Sequence, residues 1–488
     1  MKANRLLTNS LSIAINRVAQ SVGSFLLVAT IARTLGPYEL GQYTLGFSFY
    51  FLFMILASEG LKILFTRNLS QSPEAAPKYL MSGSCLQFVF SLLAYGLLFV
   101  LVSALPYKAD TTVVCYLLGL MVIPFSLSNV TESIFQAQEK MYLIAISTVP
   151  IYIVRLLLAI KGIQHNYDIN FVCLLMVASE VLVLFVQWGL ISRHVQPDWH
   201  IRWGFIKQTA LDVRTFLAIQ GMSVLNSRLP TLILSVVGGE VVVGLLSAVL
   251  QLMQPFIIVK DSLGLAIFPS MAKAAGAGDA STRDSPQKRL RQSKQQRVAE
   301  YSTELLLCTT IPAAIGLQLF GKQLLLLVYG DPSFAEVSNI LAIYGWLLVG
   351  MAIAVPLSYS LVANGMERMN LIEQIVTTVL TALLGVFLIT RFLLLGAAVT
   401  STILTITATG FYLYVVQKRL YAIRFWRILS RPLLLSAVMF CLMKVLQQTV
   451  QSFWLVLAIS IIVYGLLALG LVRFTSGDSK IAFSKLRQ

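Results

Sequence analysis

Charge is what this 488-residue chain has least of. Asp, Glu, Lys and Arg make up 12% of it, about half the share of an ordinary soluble protein. Hydrophobic residues make up 57%, and the mean hydropathy is +0.80. A soluble globular domain is excluded, and the chain reads as an all-α polytopic membrane protein. Catalytic signatures are missing as well. No Walker A sequence, HExxH, GxSxG or paired-carboxylate constellation occurs, so neither an ATPase nor a hydrolase is expected. The five cysteines (Cys85, Cys115, Cys173, Cys308, Cys441) lie inside apolar segments without a CxxC partner or a nearby histidine. That pattern supports neither a disulfide framework nor a zinc site. A cleavable signal peptide is not expected, because the first apolar segment is too long and Arg17 interrupts it.

What is present is a series of segments long enough to span a bilayer, which takes roughly 20 apolar residues. They fall at roughly 9–33, 41–66, 80–106, 111–136, 143–161, 168–192, 213–237, 241–271, 301–320, 337–362, 371–390, 393–416, 432–449 and 452–472, which predicts about 14 transmembrane helices. Lys and Arg orient them. With the N-terminus in the cytoplasm, 26 of the 37 lie in loops on that side, five on the other and six inside helices. Both termini are therefore expected in the cytoplasm. The net charge of +16 is a topology signal plus an attraction to anionic membrane lipids, and nucleic acid is not an expected partner. Outward loops are all short, the longest at about residues 321–336, with no room for a catalytic domain.

The chain also repeats itself, which bears on the whole fold. The glycine hairpin Thr34-Leu35-Gly36-Pro37-Tyr38-Glu39-Leu40-Gly41 returns in weaker form as Gly239-Glu240-Val241-Val242-Val243-Gly244. Gly36 and Gly239, Gly41 and Gly244, and Phe65 and Phe268 all differ by 203. A second echo, Glu139-Lys140-Met141-Tyr142-Leu143-Ile144 with Glu367-Arg368-Met369-Asn370-Leu371-Ile372, differs by 228. The growth of the offset places an insertion in copy two, at the basic run Ala274–Val298, expected as a solvated linker. The predicted organisation is a six-helix bundle over 1–200 and a second over 201–425 with a basic cytoplasmic loop at 272–300. Residues 426–488 supply two extra helices and a tail. Six helices precede the second copy, so the repeats enter from the same side. Parallel repeats of this kind leave a central cavity between two bundles.

Six cations lie inside the apolar segments: Arg17, Lys62, Arg155, Arg228, Lys260 and Lys444. Each costs about 2.5–3.5 kcal/mol at mid-membrane, so such residues face a cavity or a partner. Arg17 heads a polar stripe with Gln20, Ser21 and Ser24. Arg155 and Arg228 lie deep in their helices, and Pro230 frees the Asn226 carbonyl for a guanidinium. For these three, substrate contact and structural pairing stand as even alternatives. Lys62 is expected to snorkel and pair with Glu59 one turn earlier. Lys260 and Asp261, being adjacent, are expected to point apart. Asp261 is near the repeat equivalent of Glu59, which predicts a carboxylate at this level in both halves. Glu132 is expected to cap its helix end and Lys444 to snorkel, while Glu180 in mid-helix is a better candidate for an ion pair or a coupling-ion site. Arg17, Arg155, Arg228, Lys260 and Lys62 are thus the substrate-binding candidates, and Glu59, Glu180 and Asp261 the coupling or ion-pair candidates. Cations outnumber carboxylates inside the membrane, which suits a phosphate or pyrophosphate cargo.

The residues Leu35-Gly36-Pro37-Tyr38-Glu39-Leu40-Gly41-Gln42-Tyr43, their copy at Gly239–Gly244, and Phe135-Gln136-Ala137-Gln138-Glu139-Lys140 resemble the multidrug/oligosaccharidyl-lipid/polysaccharide (MOP) exporter superfamily. Within it the resemblance is to the Wzx-type polysaccharide flippases. The second hairpin departs from the pattern, with Leu245 and Leu246 where an aromatic is common. The resemblance implies two six-helix bundles plus two helices. It also implies movement of undecaprenyl-pyrophosphate-linked oligosaccharide across the bacterial cytoplasmic (inner) membrane by alternating access, for O-antigen, capsule or exopolysaccharide. Such a protein is not an enzyme and needs no cofactor; a H+ or Na+ gradient or the membrane potential would drive it. Glycan polymerase and glycosyltransferases would be its protein partners. The alternatives are a small-molecule antiporter of the same superfamily, which would show carboxylates where this chain has cations, and a membrane glycan polymerase.

Overall fold

A computed structural model of the protein describes residues 2–275 and 286–449, together with Trp454, Leu455, Ile459 and Val463. Its described residues are helical between short turns, with no strand among them. The helical runs are α1 (Lys2–Thr34), α2 (Pro37–Gln71), α3 (Pro73–Ala104), α4 (Ala109–Ala137), α5 (Met141–Gln164) and α6 (Ile169–Ser192). A short helix, α7 (Trp203–Asp212), precedes α8 (Arg214–Ala275), and α9 (Pro286–Tyr329), α10 (Ser338–Ala363), α11 (Glu367–Arg419) and α12 (Phe425–Thr449) follow. Ten runs are long and apolar enough to cross a membrane, and two of them, α8 and α11, each break at one non-helical residue, Gly239 and Leu393. Each of the first thirteen expected segments lies on a helix. The fourteenth, 452–472, falls outside the described residues except at Trp454, Leu455, Ile459 and Val463. The basic run in copy two is not all linker, since residues 286–298 belong to α9 and lead straight into its span.

The hairpins that open each repeat have a backbone only glycine tolerates. Gly36 has φ 100° and ψ −176°, and Gly239 has φ 73° and ψ −174°, a region essentially closed to side chains. Five residues on, a second glycine brings the hairpins together. A Cβ on Gly41 would lie 1.8 Å from the carbonyl oxygen of Glu240, and one on Gly244 would lie 1.9 Å from that of Pro37. Pro37 and Glu240 are themselves 203 apart, so each hairpin grips its own counterpart. One turn further in, the hydroxyl of Thr44 donates to Ser247 at 2.7 Å, across the same sequence separation of 203. Equivalent residues meeting each other is the mark of a local two-fold axis, here between α2 and the second half of α8. The offset read from the sequence is therefore the structural one.

The second echo needs a correction of register. After α4 the Lys140 amide donates to the Phe135 carbonyl, with Glu139 at φ 57°. After α10 the Met366 amide donates to the Leu361 carbonyl, with Gly365 at φ 69°. The two left-handed turns are 226 residues apart, two fewer than the Glu-[Lys/Arg]-Met match suggests. Backbone geometry, with glycine replacing glutamate at the left-handed position, outweighs side-chain identity here.

The chain forms two compact units. One comprises Met1–Gln251, Leu325–Val337 and Gln374–Thr400; its core gathers Leu61, Phe65, Tyr79, Val130, Phe135, Leu143 and Ile191. The other comprises Leu252–Leu324, Ser338–Glu373 and Ser401–Gln488, with cores around Leu307, Ile311 and Met443 and around Met271, Leu361 and Val416. Leu93, Leu97 and Val100 on α3, and Leu182 and Phe185 on α6, point outward with large exposed areas. Bare apolar flanks on helices of this length belong against lipid.

Candidate functional site

Two of the predicted cations are neutralised inside the first repeat. Lys62 on α2 donates to Glu132 at 2.6 Å and to Asn129 at 2.8 Å, both on α4. Its partner is thus not Glu59, which stays outside ion-pair reach, and Glu132 is no simple helix cap. Glu59 is one turn away along α2, but the Lys62 ammonium reaches across to α4, where Glu132 and Asn129 offer it two acceptors. Arg155 on α5 reaches Glu180 on α6 at 3.2 Å and the Ser179 hydroxyl at 3.1 Å, and its guanidinium lies 4.2 Å from the centre of the Tyr152 ring. Tyr152 in turn donates to the other Glu180 oxygen.

The Lys62–Glu132 pair sits in a wider polar network. Gln187 on α6 donates to Glu132 at 3.3 Å and to Ser147 on α5 at 3.2 Å, and accepts from Thr131 on α4 at 2.6 Å. Asn129 and Gln87 (α3) both donate to Ser58 on α2. Thr148 on α5 reaches Asn16 on α1 at 3.2 Å. Helices α2 to α6 all contribute members. Inside a bilayer such groups have no water to bond, so closing the network on itself is what makes their burial tolerable.

Arg228 is different. It lies half-buried on the first part of α8, stacked over the Phe51 ring at 4.5 Å, and among the described residues no carboxylate pairs with it. Two residues earlier Asn226 holds the helix in place, accepting from Thr381 at 2.8 Å and donating to Thr377 at 3.3 Å. Arg17 is on α1, but its side chain lies outside the described residues.

Lys260 pairs with its neighbour Asp261 at 2.9 Å, against the expectation that they diverge. Its four-carbon stem is long enough to curl back along the helix surface. Asp261 is mostly exposed whereas Glu59 is half-buried, so the shared sequence level does not create a shared environment. Lys444 is exposed on α12.

A further polar cluster, unforeseen from the sequence, ties the two hairpins together. Tyr38 and Gln42 donate to Asp110 at 2.9 and 3.0 Å. Gln42 also bonds Thr111, whose hydroxyl donates to the buried carboxylate of Glu240 at 2.7 Å. In the sequence Glu240 stands out only as the residue after the hairpin glycine Gly239. The polar spacing Asn129, Glu132, Ser133 and Gln136 along one face of α4 was a legible signal for Glu132. Nothing local singled out Gln187 or Tyr152.

Residues 6–275 match the family model described as "Polysaccharide biosynthesis protein". The chain belongs to this family. No curated protein matches it in sequence. The structure described as "Lipid II flippase MurJ, inward closed conformation" superposes with a TM-score of 0.72 at 16% identity, covering 96% of this chain and 99% of that one. An inward-facing multidrug resistance MATE family transporter of the MOP superfamily gives 0.65 at 14% identity, covering 82% and 94%. The outward-facing conformation of a MATE family transporter gives 0.57 at 14%, covering 85% and 95%. Identities this low establish a fold and nothing finer. This polysaccharide-biosynthesis protein has the MOP-superfamily fold, as the hairpin residues implied, and is a multi-pass membrane protein.

Proposed function

We propose that the protein is a flippase that carries a polyprenyl-pyrophosphate-linked oligosaccharide across the bacterial cytoplasmic membrane, with no chemistry performed on the cargo. The observation that carries this reading is Arg228, a half-buried intramembrane cation whose company is an aromatic ring and not a carboxylate. An unneutralised guanidinium at that depth costs several kcal/mol in an empty site. A pyrophosphate is the ligand that would relieve this cost, since guanidinium binds its oxygens with strong charge-assisted hydrogen bonds. Arg17 is the proposed second contact, and Arg155 and Lys62 become structural, because Glu180 and Glu132 already satisfy them.

In this reading the repeats over 1–200 and 201–425 move against each other in alternating access. Both termini are cytoplasmic, the cargo serves a surface polysaccharide, and an ion gradient or the membrane potential supplies the energy. The polysaccharide-biosynthesis family and the fold shared with a lipid II flippase support it. No observation favours the drug antiporter, whose cation cargo would be repelled by Arg228.

The test is the lipid-linked glycan pool in a strain lacking the gene, complemented with the wild-type chain, with Arg228→Ala or with Arg17→Ala/Arg228→Ala. The wild type should restore surface glycan, and the variants should insert normally yet leave the precursor on the cytoplasmic leaflet. Full activity in the double variant would sink the pyrophosphate role of these arginines. Unpolymerised repeat units on the outer leaflet of the deletion strain would instead revive the polymerase.

A further inference from the structure

The connection between α6 and α8 displays a surface that water alone does not explain. Trp199 is 74% exposed and Trp203 71%, the latter opening α7. On α7 the side chains of Trp203, Lys207 and Leu211 follow one another at helical spacing and all face outward. Ile201, just before the helix, is exposed too. The opposite face is docked: Phe205, Ile206 and Ala210 pack on the core of the first repeat, where Thr209 and Val213 are buried. Phe205 meets the Tyr79 ring at 4.8 Å, with the ammonium of Lys78 4.3 Å from its centre, and the Arg202 amide donates to Ser82. The segment is therefore held rigidly, with a Trp-rich, basic face turned outward.

Connectivity fixes where that face lies. The segment runs from Ser192, the end of one span, to Arg214, the start of the next, so it cannot leave the membrane surface. Lys78 belongs to the turn after the second span, on the same side. Arg193, Arg202, Lys207, Arg214 and Lys78 outnumber Asp198, Asp212 and Glu74 there, and Asp198 is already engaged by Arg202 at 3.0 Å. Tryptophan belongs at the headgroup level, and an amphipathic helix with cations beside its apolar face lies in the interface plane.

We propose that residues 197–212 are an in-plane anchor for anionic phospholipid. Trp199, Trp203 and Leu211 seat at the boundary between headgroups and acyl chains, and Lys207 and Arg214 take the headgroup phosphates. The occupant follows from the cationic excess beside the exposed tryptophans, which a zwitterionic surface would not reward. This assignment is independent of any cargo, so it stands or falls apart from the flippase reading.

The experiment uses the full chain in nanodiscs of phosphatidylcholine containing a minority of brominated phosphatidylglycerol or, in parallel, of brominated phosphatidylcholine. Tryptophan fluorescence is read in the wild type, Trp199→Gln/Trp203→Gln and Lys207→Gln/Arg214→Gln, each checked for a monodisperse elution profile. Brominated phosphatidylglycerol should quench the wild type more than brominated phosphatidylcholine, and more weakly as salt is raised. Removing both tryptophans should abolish that extra quenching. Each cation removed should cut the preference about fivefold. Equal quenching by the two lipids in the wild type overturns the proposal. So does a preference that survives the tryptophan or the cation double variant, or free access of aqueous acrylamide to Trp199 and Trp203.

Discussion

Lys62, Glu132, Arg155 and Glu180 belong to the first copy of the repeat. The position 203 beyond Lys62 is Leu265, and those 226 beyond the others are Ser358, Thr381 and Ile406. Not one of the four charges survives in the second copy, and all four partners of the two ion pairs are gone together. The hairpin glycines, by contrast, occur in both copies with the same unusual backbone. The difference separates two kinds of constraint. A left-handed turn and a backbone contact are local demands that a single residue meets. A buried ion pair is a joint demand: losing one member strands the other, so the stable arrangements have both or neither. The first copy thus holds Lys62 and Arg155 in two ion pairs. At the position equivalent to Arg155 its counterpart has a neutral residue, Thr381, which bonds Asn226 two residues from the stacked Arg228.

The hairpin half of this comparison breaks most severely. Gly41→Val or Gly244→Val puts a Cβ into a backbone carbonyl, beyond the 1–3 kcal/mol usual for overpacking. Folded protein recovered from membranes should fall to near nothing, whereas Gly189→Ala, which meets open space, should leave the yield unchanged. Next come the charges. Glu132→Gln or Glu180→Gln should lower stability in detergent by about 3 kcal/mol by stranding Lys62 or Arg155, while Lys62→Met/Glu132→Leu recovers most of it. A thermal-unfolding series checks this, and equal losses in single and double variants would contradict the pairing. Arg228→Ala should have the opposite signature, with transport lost and the unfolding midpoint nearly unmoved, because no partner is stranded. Thr44→Val, removing one hydrogen bond on the local axis, should cost only about 1 kcal/mol.

Much of the fold was legible along the chain. Length and apolarity located the helices, and glycine spacing revealed the duplication, because hairpin geometry restricts which residues can occupy it. The site was only partly legible. Lys62 read as a partner of Glu59 or a cargo contact, and Arg155 as a cargo contact or a structural pair, since a buried cation announces its cost but not who meets it. Glu132 lies 70 residues from Lys62, and Glu180 lies 25 from Arg155. No periodicity within one helix connects such partners. Lys260 failed in the other direction: helical phase argued that adjacent side chains diverge, and a flexible lysine stem does not obey that phase.

By itself the sequence determined that this chain lies in a membrane, that it is helical, and that it is built twice from one plan. Those properties follow from hydropathy and backbone geometry, which each residue carries wherever it goes. Only the tertiary structure decided which intramembrane charges are satisfied, that Arg228 stands without a carboxylate among the described residues, and that two tryptophans face outward beside basic residues. Those facts depend on which helix is neighbour to which, and proximity between distant residues is not a property that any one of them carries.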